Sequence, residues 1–239
     1  MSETSPAARA SAGLIGRVGP AMVKVASRRA RGSALASALV VAMLIVGFMA
    51  WGALTLPIQA VAILGVAAVV AYIAWSRTTL RHPVQSRRVV AVYLLAVAFQ
   101  LIHLSEEYVG GFPHEFVELF NSPRQWSEQA FLLLFVFGFG ALWVTAAAGA
   151  LYQIRIANYM IWFYALGAGL INAISHFVFP ILKGGYFPGL YTAAGHLVLS
   201  VIVIYLLVKE SRQARQQSRE EAEAETTRPS AQLPRGASS

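Results

Sequence analysis

The stretch Arg88-Val-Val-Ala-Val-Tyr-Leu-Leu-Ala-Val-Ala-Phe-Gln-Leu-Ile-His-Leu-Ser-Glu-Glu-Tyr108 holds no charged residue between Arg88 and Glu106. A helix rises about 1.5 Å per residue, so this run is long enough to cross the hydrocarbon core of a bilayer. Five more apolar runs of similar length flank it, at about 34–56, 58–76, 129–151, 158–179 and 188–208. Composition agrees. The 239 residues are 57% hydrophobic and 13% charged, where a soluble domain carries about 25% charge. The mean hydropathy is +0.58. The reading is an all-α, polytopic transmembrane bundle of six spans, with a short interfacial helix on the outer side.

Lysine and arginine set the orientation, because cytoplasmic loops retain positive charge. With both termini inside, 17 of the 19 basic residues fall on the inner side and only Arg124 and Lys183 on the outer side. The high basicity is thereby explained without nucleic acid. Residues 1–33 are expected to be a disordered basic tail, 34–208 the membrane domain, and 209–239 a polar tail that starts as a helical extension and is mostly disordered. Leu56-Pro57 reads as a tight turn between the first two spans. The chain has no cysteine, which excludes disulfides, thiol chemistry and zinc fingers. All 11 acidic residues are glutamate, so any carboxylate chemistry uses Glu.

The third span turns polar only at its outer end, with Gln100, His103, Glu106 and Glu107. Positions i, i+3 and i+4 share a helix face, so these four point the same way. The fifth span ends outward with Asn172 and His176, again i and i+4. The sixth starts outside and reaches His196 within about three turns. Topology therefore brings His103, Glu106, Glu107, His176 and His196 to similar depth. Ionisable groups inside spans are costly and mark functional sites by default. Imidazole nitrogen with carboxylate oxygen suits a divalent Zn, Fe or Mn ion. The expected ligands are His103, Glu107, His176 and His196, with Glu106 as catalytic base and Asn172 orienting a ligand or substrate. Bland alternatives stand beside this. The glutamates fit a solvated helix end, His176 a packing role, and His196 or Asn172 an interhelical hydrogen bond.

Gly110, Gly111 and Pro113 break the third span, and Phe112, Phe116, Leu119 and Phe120 then recur at helical spacing. This predicts the interfacial helix, lying as a lid or as a plain connector. His114 in that segment, Lys183 in the outer loop, Tyr191 and Gln100 are candidate substrate or outer-sphere contacts. Lys183 would meet a lipid phosphate, and Tyr191 reads equally as an aromatic-belt residue.

The string His103-Leu-Ser-Glu106-Glu107 resembles the membrane-protein family named for its HXXEE motif. Asn172 with His176, and the loop Tyr186-Phe-Pro-Gly-Leu-Tyr191 leading to His196, are similar to that family as well. The resemblance covers roughly residues 88–208, leaving the first two spans as an addition. It supports the site and implies no particular reaction.

The expectation is a multi-pass protein of a bacterial cell membrane. It would bind a divalent metal and hydrolyse or rearrange a lipid or apolar metabolite from the outer leaflet. The partners are membrane lipids and such a substrate, with no nucleic acid. The alternatives are a non-catalytic binding or assembly subunit, or a proton-coupled transporter. The inner halves of the spans offer little polarity for a transport path.

Overall fold

The computed structural model describes residues 20–227, with side chains from 32 to 224. The chain divides into two compact units, residues 1–36 and 37–239. The described part of the first is helical. Across the described residues the helices are α1 (Pro20–Thr55), α2 (Ile58–Arg77), α3 (Arg87–Val109), the short α4 (Phe112–Leu119), α5 (Glu128–Leu151), α6 (Arg155–Lys183) and α7 (Leu190–Thr227). There is no strand among them. Six helices are long and apolar enough to span a membrane, α1 through its residues Gly32–Thr55. The protein is an all-α integral membrane protein of multi-pass architecture.

Local chemistry explains the boundaries. Pro57, which lacks an N–H, separates α1 from α2. Ser86 caps α3 by accepting from the Val89 N–H at 3.4 Å, and Ser127 caps α5 by accepting from Ala130. Gly184, at φ +78°, closes α6 in the left-handed conformation that glycine tolerates.

The first and last helices both run beyond the apolar segments. The first helix begins at Pro20, so residues 20–33 are helical rather than disordered. Proline fits a helix's first turn, where its missing N–H is not needed. The last helix continues to Thr227, well past the end of the apolar run. Its extension is rich in Ala, Glu, Gln and Arg, which are strong helix formers. Residues 1–19 and 228–239 lie outside the described residues.

The bundle pairs α3 with α7 and α5, α6 with α2 and α5, and α7 with α6. Large apolar side chains such as Met43, Leu95, Phe137 and Val201 are exposed, as lipid-facing positions require. Two stretches wind as π-helix, Leu132–Phe139 within α5 and Tyr164–Ile171 within α6. Such wide turns are uncommon and cluster at functional sites. In α6 the wide stretch ends immediately before Asn172 and so sets the face on which Asn172 and His176 emerge. Gly169 permits the close crossing of α6 and α7, since a Cβ there would sit 1.9 Å from Ser200 Oγ.

At the end carrying the basic 77–88 loop, polar contacts hold the loop down. The Asn158 side-chain oxygen accepts from the Val84 N–H at 2.9 Å. The Glu210 carboxylate accepts from the Gln85 and Ser86 N–H groups. The Arg155 guanidinium donates to the Leu80 carbonyl.

Candidate metal centre and its adjoining cavity

At the opposite end, α3 delivers His103 and Glu107, and α6 delivers His176. All three side chains are buried. Glu107 Oε1 lies 2.8 Å from His176 Nε2 and 3.3 Å from His103 Nε2. One ligand atom from each of the three falls within 4.8 Å of the others. Two imidazoles and one carboxylate form a donor set that suits Zn, Fe or Mn and leaves coordination positions open. The chemistry of the residues fits a divalent ion.

His196 is near this group and outside it. Its ring centroid lies 5.1 Å from that of His103, yet its Nε2 is hydrogen-bonded to the Tyr164 hydroxyl at 3.2 Å. The group of ligand atoms within 4.8 Å of one another comprises His103, Glu107 and His176, and His196 stands beside it. Tyr164 belongs to the π-wound stretch, whose altered helix faces the sequence did not announce.

Glu106 is held differently from a free base. Its Oε1 accepts from the Tyr186 hydroxyl and the Tyr191 N–H, each at 3.0 Å. Its Oε2 accepts from the Thr192 N–H at 2.9 Å and the Thr192 hydroxyl at 2.6 Å. The first N–H groups of a helix lack intrahelical acceptors, so Glu106 of α3 caps the start of α7. Negative charge there is also favoured by the helix dipole.

Thr192 links this cap to the cluster. Its Oγ1 lies 2.7 Å from His103 Nδ1. A threonine hydroxyl has one proton, and the carboxylate takes it, so His103 must donate from Nδ1. A neutral ring held this way keeps its lone pair at Nε2, facing Glu107 and His176. Asn172 Nδ2 donates into that lone pair at 2.9 Å, so an ion taking Nε2 would displace this bond, and the outer partner on the second nitrogen is Thr192. Histidine ligands commonly have their second nitrogen fixed by such an outer partner. Thr192 carried no signal in the sequence, because a half-buried threonine in a span is ordinary.

Gly189 closes the cluster from the loop before α7. Its φ is +92°, and a Cβ there would lie 2.4 Å from His176 Cε1 and 2.5 Å from its Nδ1. Both the backbone conformation and the space require glycine. His176 Nδ1 and His196 Nδ1 are buried without hydrogen-bond partners among the described residues.

The remaining candidates separate. His114 is exposed and pairs only loosely with Glu118, at 3.9 Å. Lys183 forms an ion pair with Glu115 of α4. Tyr191 is exposed and reaches the site through its backbone N–H, with its ring stacked on Tyr186 at 4.9 Å. Tyr186 lies between α6 and α7, and its phenol pKa is pushed up to about 12 by desolvation and by its bond to Glu106. Gln100 is buried on α3, inward of the cluster, and lines a cavity.

That cavity, of about 70 Å³, lies among α2, α3, α4, α5 and α6. Glu107 and Asn172 belong both to its wall and to the histidine cluster. Phe112 and Phe116 of α4 form part of the wall and are buried, so the interfacial helix covers the cavity. Leu119 and Phe120, expected on its buried face, are only half-buried, and Pro113 and Val117 are buried in their stead.

No curated protein and no solved structure matches the chain. Residues 93–205, which contain every side chain of the cluster, match the family model described as protein of unknown function with HXXEE motif.

Proposed function

We propose that His103, Glu107 and His176 hold a divalent metal ion, and that the protein is a metal-dependent membrane enzyme acting on an apolar molecule in the adjoining cavity. The observation that carries this reading is the convergence of two imidazoles and one carboxylate within 4.8 Å, with Glu107 shared between cluster and cavity wall. A bound ion would supply Lewis acidity and an activated water. The chain's own residues position it. Thr192 and Glu106 hold the His103 tautomer, Gly189 seats His176, and the aromatic wall excludes bulk water. Glu106, saturated by four donors, acts as a positioning residue in this reading. The positive inner loops fit insertion into a bacterial cell membrane, with the cluster in the outer half.

Metal analysis of detergent-purified protein prepared without chelator tests the proposal. About one divalent ion per chain is expected, lost in Glu107→Gln and His176→Ala and retained in His196→Ala, because three protein ligands suffice for an open site. Metal-free wild-type protein overturns it. A second reading rests on the 2.8 Å His176–Glu107 contact. There the cluster is a hydrogen-bonded lock in a non-catalytic assembly subunit, and Glu107→Gln lowers Tm with no metal to lose.

A further inference from the structure

The cavity has a chemistry of its own. Its lining includes Phe131, Phe135, Phe139 and Trp143, spaced four apart along α5. Successive rings in this row are 5.2, 5.7 and 5.6 Å apart between centroids. Twelve residues of helix extend up to roughly 18 Å. The cavity, of about 70 Å³, is lined by both ends of this row, so its lining is elongated. An elongated apolar lining suits a linear chain.

The lining also restricts charge. Among the described residues that line it there is no lysine or arginine, and Glu107 is the one ionisable group. Without an ion at the cluster, an anionic ligand would meet a carboxylate with no counter-charge in the lining. Three lining side chains keep buried polar atoms without partners, namely Gln100 Oε1, Trp126 Nε1 and Trp143 Nε1. These residues are only 2%, 7% and 2% exposed. Indole N–H groups can only donate, and each one left unpaired in an apolar setting costs about 1–3 kcal/mol. A plain hydrocarbon or a cation would leave both indoles unsatisfied. An uncharged oxygen would not.

We infer that the cavity binds a linear hydrocarbon bearing an uncharged oxygen, of the long-chain alcohol or aldehyde class, with that oxygen accepting from Trp126 or Trp143. This deepens the proposed function by naming its ligand class. It is tested on metal-free protein, so that a failure of the metal reading leaves the result interpretable.

Full-length protein in phosphatidylcholine nanodiscs, stripped with chelator, is titrated with decanal, 1-decanol, decane, decanoate and decyltrimethylammonium. Binding is read calorimetrically against protein-free nanodiscs. Decanal or 1-decanol should bind about tenfold more tightly than decane, as one satisfied buried donor implies. Decanoate and decyltrimethylammonium should bind no better than decane. Trp126→Phe or Trp143→Phe, which keep an aromatic ring and remove the N–H, should abolish that preference in at least one case. Equal binding of decane and the oxygenated probes overturns the inference, as does a preference for either charged probe or no binding by any. The wild-type comparison needs no variant, so a poorly folded substitution does not decide the outcome.

Discussion

Thr192 Oγ1 stands between His103 Nδ1 at 2.7 Å and Glu106 Oε2 at 2.6 Å, so the first and fourth residues of the HXXEE string meet through a residue of another helix. Three side chains from α3 and α7 thereby fix which nitrogen of His103 carries a proton. Glu106 and Glu107, neighbours in sequence, meet different partners. Glu107 faces the histidines, and Glu106 holds the frame.

Thr192→Val should release His103 from this tautomer while preserving side-chain shape. Loss of an outer partner of a histidine ligand typically costs about 10–100-fold in metal affinity. Thr192→Ser should restore most of it, since the hydroxyl is what matters. Imidazole nitrogen-15 chemical shifts of the metal-free protein check the tautomer directly. An unchanged His103 signal in the valine variant would refute the relay.

Gly189→Ala should be among the most damaging single-methyl additions to this chain. The positive φ and the 2.4 Å approach to His176 both oppose a Cβ. Backbone strain of this type costs about 1–3 kcal/mol before any clash is counted. A lowered Tm in detergent together with loss of metal is expected. Gly184→Ala is the control, because it has a positive φ with open space around its Cβ and should lower Tm less.

Tyr186 should titrate late. Its pKa is raised from 10.0 to about 12, so the folded protein retains the phenol proton after the unfolded chain has lost it. The sign follows from linkage. The Tyr186–Glu106 contact contributes fully below pH 10 and is lost as pH rises from 10 through about 12. Ultraviolet difference titration of wild type against Tyr186→Phe should show one tyrosine missing from the late-titrating set. Titration of that tyrosine near 10 would contradict the assigned bond.

Cysteine labelling tests orientation cleanly, because the chain has no cysteine. His114 is exposed on α4, so His114→Cys should react with a membrane-impermeant maleimide in intact cells. Arg81→Cys, in the basic loop, should react only after permeabilisation. The reverse pattern would place the histidine cluster on the inner side.

The spans were legible because length and apolarity are local properties. Arg88–Tyr108 matches α3 to within a residue at each end. His103, Glu107 and His176 were legible as a group because the third and fifth spans run in the same direction and bring their C-terminal ends to a common depth. Their contact was not legible. Helix rotation decides it, and the π-wound turns of α5 and α6 alter rotation without a distinct sequence mark.

His196 shows the boundary most clearly. Sequence placed it at the correct depth, and the tertiary structure turned its Nε2 to Tyr164. Gln100 was read with the cluster because it shares a helical face, but the neighbouring helices enclose it in the cavity instead. Composition and the positions of a few basic residues determine by themselves that this chain is a six-span membrane protein, since bilayer insertion depends on each segment separately. Which nitrogen faces which oxygen, and that Thr192 and Gly189 matter, was decided only by packing. Those contacts join residues tens of positions apart, through side-chain geometry that no single segment contains.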